Sequence, residues 1–312
     1  MTDQMLGSSH AGPPDNDELE QRLAEPAPAG AGQLERPARV LLGWLPAERG
    51  ELVLVSNRAG VELTEEQRAR VRQARDAVDA RPIGIDQTDL VSALPPELAD
   101  HLARLEATPA GAGMRQEGWD VALVDLERVG AFQPFVFTDT AVERVASVDP
   151  ADIEAVAELT LPVNHTAPIV GQYDELKQTY ILTSPNPNLK VLGNFSGPVP
   201  DANGMPGFGF LVTVAPSFVQ VVRFQDRYLL RDGYHRAFGL LSRGISRVPA
   251  FVRDFDTVEN LAPAGMLAHS AWLGPRPPLL RDYHDDLVTE SVSLAAQRRM
   301  VVIQALELSP PG

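Results

Sequence analysis

"LLRDGYHRAFGLLSRGISRVPAFV", residues 229–252, is the stretch whose reading decides the fold. Just before it, the apolar positions of SFVQVVRF (217–224) and the run Tyr228 to Arg231 flank Gln225-Asp226, a spacing that predicts a tight hairpin. The second strand ends at Asp232. Gly233 then permits a backbone geometry that a side chain would block, and Tyr234 to Arg243 has the spacing of a helix. Gly244 suits a left-handed helix end, after which RVPAFV (247–252) reads as another strand. The predicted unit is strand, turn, helix, strand.

Two roles compete for that turn. Asp232 can accept bonds from the first free amides of the helix, which is a sufficient structural reason for an acid there. The same helix start also presents unpaired N–H groups and a partial positive charge, the setting in which phosphates bind. His235 and Arg236 lie in the first turn, so at least one can converge on an anion held there, and an arginine–phosphate contact is charge-assisted.

Toward the N-terminus, RVLLGWLPAERGELVLVS (39–56) holds two β-type runs around Pro46 to Gly50 and predicts a hairpin. TEEQRARVRQARDAVDARP (64–82) carries a Thr64-x-x-Gln67 capping box and stops before Pro82, so it predicts a surface helix. PPELADHLARLEA (95–107) predicts a second helix with His101 off its apolar stripe and solvated. TPAGAGMRQEG (108–118) reads as a loop, WDVALVDLE and AFQPFVF as strands, and DPADIEAVAEL (149–159) as a short helix capped by Asp149. From Leu161 to Pro216 dense Pro, Gly and Asn predict long loops, with Asn164 and His165 on a rim. His284, Asp285 and Asp286 adjoin one another, but neighbours diverge on a regular element, so a solvated loop is the expectation there, with no metal site. The last segment, ESVSLAAQRRMVVIQALEL, fits one helix or a closing strand.

Composition excludes several classes. The chain of 312 residues has no cysteine, which removes disulfides and thiol chemistry. Its net charge is -15, and its 27 basic residues include only two lysines, Lys177 and Lys190. A duplex-binding surface needs clustered cations to displace counterions, so nucleic acid is not expected as a partner. No window is apolar enough for a membrane span, and the first residues show neither a secretory nor a transit pattern, so a cytoplasmic protein is expected. Residues 1–36 are polar and acidic and read as a disordered tail.

With its apolar-faced helix, the Gly233-Tyr234-His235-Arg236 box resembles that of the ParB/sulfiredoxin-like superfamily, in which a strand ends in Gly-x-His/Arg-Arg. The resemblance covers about residues 217–254. It implies a compact mixed α/β domain at 135–256, with an N-terminal α/β region at 37–134 and a C-terminal extension at 257–312. It also implies a nucleoside triphosphate with magnesium, its phosphates at Gly233, His235 and Arg236, with Asp232 and Tyr234 as candidate catalytic groups for a phosphotransferase or nucleotide hydrolase. Tyr234 stands where sulfiredoxins have cysteine and partition ParB proteins have glutamate, and Phe238 where ParB proteins have a second arginine, so a divergent member is expected. The alternative is a non-catalytic protein-interaction module, with a protein partner or a second copy as its ligand.

Overall fold

The computed structural model describes residues 35–304, apart from 57–60, 165–166, 185, 187, 199–205, 259–260, 262–265 and 297–299. Thirteen strands and eight α-helices make a mixed α+β fold among the described residues. The strands are β1 (Glu35–Val40), β2 (Val91–Ser92), β3 (Asp120–Asp125), β4 (Phe135–Phe137), β5 (Val170–Asp174), β6 (Thr179–Thr183), β7 (Leu189–Pro198), β8 (Pro206–Val214), β9 (Gln220–Phe224), β10 (Arg227–Asp232), β11 (Arg247–Asp254), β12 (Glu290–Ala295) and β13 (Met300–Gln304). The helices are α1 (Ala47–Leu54), α2 (Glu65–Asp79), α3 (Ala99–Glu106), α4 (Pro109–Gln116), α5 (Thr138–Val145), α6 (Ile153–Thr160), α7 (Tyr234–Ser242) and α8 (His269–Trp272). No helix among the described residues is long and apolar enough to cross a membrane.

The unit expected at 217–254 forms as the sequence spacing dictates. Gln225 and Asp226 both take positive φ, 48° and 61°, which matches the twist of a tight hairpin between β9 and β10. β11 returns parallel to β9 after α7, and the five-stranded sheet runs β10-β9-β11-β3-β2. A second sheet, β12-β1-β4, takes one strand from each end of the chain. One core joins residues from Ala38 to Leu294, so the expected boundaries at 134 and 256 mark no gap in the packing.

Several expectations are corrected. The run ELVLV is helical: α1 lies against α2, where the Gly50 backbone approaches Leu42 and Val71 so closely that an added Cβ would stand 3.2 and 3.3 Å from them. A short apolar run fits strand or helix, and packing decides it. α4 replaces the expected loop, because Thr108 caps the Gly111 amide at 3.0 Å and Pro109 sits at the first helical position. Asp152, not Asp149, caps α6, accepting from Ala155 N at 3.0 Å. His101 is 4% exposed and its Nε2 meets the Leu161 carbonyl at 3.0 Å, so it is a core residue joining α3 to the end of α6. Four strands, β5 to β8, occupy much of the expected loop region, while Asn164 is exposed and His165 lies outside the described residues. Order also begins earlier than expected, since Glu35 and Arg36 pair with β12, whereas residues 1–34 lie outside the described residues. The C-terminal alternatives resolve into two strands, β12 and β13.

Candidate functional site

Gly233 joins β10 to α7 with φ +104°, a conformation that L side chains rarely adopt. An added Cβ would stand 2.9 Å from Val219 Cγ2, on the neighbouring strand's approach, so space and dihedral both demand glycine. Asp232 does not cap the helix. The cap position belongs to Gly233, which has no side chain, and the Asp232 carboxylate lies instead 4.0 Å from Arg236 Nη2 with 42% of its side chain exposed.

The three residues after Gly233 turn their polar atoms inward. The Tyr234 phenol oxygen accepts from Phe132 N at 3.0 Å and Gln133 N at 3.3 Å and donates to the Leu230 carbonyl at 2.6 Å. Burial raises its pKa, so the hydroxyl stays protonated and fully engaged, which removes it as a catalytic donor. His235 Nε2 accepts the Phe137 amide at 3.2 Å, and its ring stacks on Phe137. Burial, then the charges of Arg144, Arg36 and Arg236, lower its pKa to about 4. The imidazole is therefore neutral near pH 7, with its proton on Nδ1 because Nε2 is accepting. Arg236 is 4% exposed and braces α7 to the chain before β9: Nη1 donates to the Ser217 carbonyl and to Leu159 O at 3.3 Å, and Nη2 to Ser217 Oγ at 2.7 Å. Burial lowers its pKa to about 10, which still leaves it charged, and its buried Nε has no partner among the described residues.

Packing beside α7 adds residues that the sequence reading missed. Phe137 meets His235, Ala141 O and Val145 crowd Gly239, and the Val145 carbonyl accepts from Arg243, so α5 and α7 run parallel with their starts side by side. Gly239 permits this: an added Cβ would stand 2.6 Å from Ala141 O. The two starts differ in how their amides are satisfied. At α5, Asp139 Oδ1 accepts from Thr140 N at 2.7 Å, and Oδ2 takes Arg36 Nε at 2.8 Å. Burial opposes the charged form of Asp139, but the bonds from Arg36 and the backbone outweigh it and hold the carboxyl below its usual range. At α7, no acceptor among the described residues meets the amides of Tyr234, His235 or Arg236.

Arg144, on α5, completes the arrangement. Burial lowers its pKa, the charge of Asp232 opposes that, and it meets no carboxylate at ion-pair distance among the described residues. Arg36, Arg144 and Arg236 thus act electrostatically on one imidazole at the start of α7. TDTAVERV (138–145) carries an acid in its first turn and apolar residues at helical spacing, a signal that could have revealed α5. Nothing in the sequence places Arg36 or Arg144 near residue 235. Elsewhere, Asp285 holds Arg81 and Asp286 holds Arg39, and no group of three His, Asp or Glu suited to a metal converges among the described residues. No protein-family model matches this chain, and no match is found among curated proteins or among solved structures.

Proposed function

We propose that the protein binds a phosphate-bearing ligand, a nucleotide in the first instance, at the start of α7. The observation that carries this is the contrast between two neighbouring helix starts. Among the described residues, α5 meets its Thr140 amide with its own Asp139, whereas the first amides of α7 meet no acceptor, and Arg144, whose charge acts on Asp232, His235 and Arg236, has no ion-pair partner. Amides left without an acceptor are met by water or an anion, and the helix dipole favours the anion. In this reading Gly233 allows close backbone approach, the amides of Tyr234 to Arg236 hold the phosphate, and Arg144 supplies the cation. His235 contributes at most a neutral Nδ1 donor, and Arg236 fixes the helix rather than reaching the ligand through its side chain. Magnesium would arrive with the phosphates, with the partly exposed Asp232 as the adjacent carboxylate. The superfamily resemblance of the box supports the same ligand class.

The test is a thermal-shift series with ATP, CTP, GTP and UTP, each with magnesium, and with inorganic pyrophosphate. A ligand at a hundred times its Kd stabilises by about 2.7 kcal/mol. The shift should vanish in Arg144→Ala, whose own melting temperature should stay close to that of the parent. No shift with any of these ligands sinks the reading.

A second reading, a non-catalytic interaction module, is favoured by the internal engagement of Tyr234, His235 and Arg236. It expects no nucleotide shift, and it expects capture of a protein partner to survive Arg144→Ala.

A further inference from the structure

A cleft of about 730 Å³, a size that suits a small molecule, opens between the chain at 81–86, which follows α2, and the segment 276–285, which precedes β12. Its two walls are tied together: Gly84 N donates to the Pro275 carbonyl at 2.8 Å, and Arg276 Nε donates to the Arg81 carbonyl at 2.6 Å. Little ordering is then needed when a ligand enters. Gly84 holds φ +89° with open space where a Cβ would go, so the chain bends there without putting a side chain into the cleft.

Cations collect in this cleft against the trend of the chain. Four arginines, Arg81, Arg128, Arg276 and Arg281, line it beside three aspartates, Asp86, Asp282 and Asp285, although the whole chain carries -15. The acids are committed within the fold. Asp282, 4% exposed, takes Arg81 at 2.9 Å and the Leu279 amide at 2.7 Å, Asp285 takes the other end of Arg81 at 2.7 Å, and Asp86 accepts from the Thr88 amide at 2.9 Å. Arg128 is committed as well, to Asp125 at 2.9 Å and to the Thr88 carbonyl at 2.6 Å. Arg276 and Arg281 are not. Among the described residues Arg276 donates only through Nε, and Arg281 makes no hydrogen bond or ion pair, although its charge acts on Asp282.

Two guanidinium groups with donors to spare therefore line one bounded space, with Ile85 and Leu279 as its apolar part. A guanidinium fork matches a carboxylate or a phosphate two oxygens at a time, so two such forks suit two acidic groups on a short carbon skeleton. A macromolecular polyanion would meet the acidic surface as a whole, whereas a small anion meets the local field, because charges beyond about 8 Å are largely screened at physiological salt.

We propose that this cleft binds a small organic molecule carrying two acidic groups, carboxylate or phosphate, one on Arg276 and one on Arg281. None of its lining residues belongs to the first turn of α7, so the proposal stands whether or not a nucleotide binds there.

Isothermal titration calorimetry of the full chain at constant ionic strength tests it, with succinate and citrate as carboxylate probes and pyrophosphate and fructose 1,6-bisphosphate as phosphate probes. At least one should bind with a Kd below about 1 mM, and the pair it comes from assigns the acid. Arg281→Gln and Arg276→Gln should each weaken that binding about tenfold or more, as for loss of a charge-assisted contact. Arg247→Gln, at an exposed arginine of β11 outside the cleft, should change it less than about twofold, and Arg144→Ala, which disables the start of α7, should leave it in place. Circular dichroism checks the fold of each variant. No binding by any of these probes up to about 10 mM overturns the proposal. So does binding that either glutamine variant in the cleft leaves at full strength, or that Arg247→Gln weakens as much as Arg281→Gln, since long-range charge alone would then account for it. Binding lost in Arg144→Ala but kept in Arg281→Gln overturns it too, because the anion would then sit at α7.

Discussion

The neighbourhood of α7 and the β7–β8 arm solve opposite problems. Around α7, polar and charged side chains are drawn inside, and each is held by partners distant in sequence: Tyr234 by Phe132 and Gln133, His235 by Phe137, Arg236 by Leu159 and Ser217. In the arm, phenylalanines are turned outward and meet little beyond each other and a glycine. A buried polar network is costly to leave half made, so every member of the first region is constrained by the fold. The arm is constrained by the fold hardly at all. The two regions should therefore respond to substitution in opposite ways.

The sharpest break of that contrast is Gly233→Val. A β-branched residue at φ +104° costs roughly 1–2 kcal/mol, and forcing its Cβ against Val219 adds about 1–3 kcal/mol, so a loss of about 3 kcal/mol or more is expected in the urea midpoint. Tyr234→Phe follows. It leaves the Phe132 and Gln133 amides and the Leu230 carbonyl without their partner in a buried site, a loss of about 2 kcal/mol. A neutral result for both would mean that the network around α7 holds nothing in place.

His235 gives the contrast a pH signature. Its folded pKa of about 4 lies below the unfolded value near 6.5, so the unfolded chain binds the proton more tightly. The stability it contributes is complete above pH 6.5 and declines as pH falls toward 4, with about 2 kcal/mol gone by pH 5. His235→Asn keeps an acceptor for the Phe137 amide without titrating. The difference in unfolding free energy between parent and variant should therefore narrow by that amount from pH 7.5 to 5, measured by urea denaturation at each pH. A constant difference would place the ring in water.

What the sequence made legible follows the same division. β9, β10, α7 and β11 were readable because their determinants are local: period-two apolar runs, a two-residue connection, and glycines at 233 and 244, both with positive φ. The inward use of Tyr234, His235 and Arg236 was not, since burial depends on α5, the end of α6 and Ser217, none of which has a fixed spacing from residue 235. His101 misled for the same reason: its polar-face position on α3 is local, and the Leu161 carbonyl that buries it is not. α1 misled because Leu52 to Val55 fits either period and α2 decides it. In the arm, Pro, Gly and Asn imitated a loop, whereas Gly193, Gly197 and Gly209 lie within strands and Gly209 seats the Phe195 ring.

The smallest expected effect is the most discriminating. Phe208→Ser removes a ring that is 63% exposed and touches mainly Phe210, so almost no buried area is lost in the monomer. Substitutions of that kind usually fall within about 0.5 kcal/mol, and the urea midpoint and slope should match the parent's. A clear loss of stability would show the ring supporting its own chain, and the contrast between the two regions would not hold.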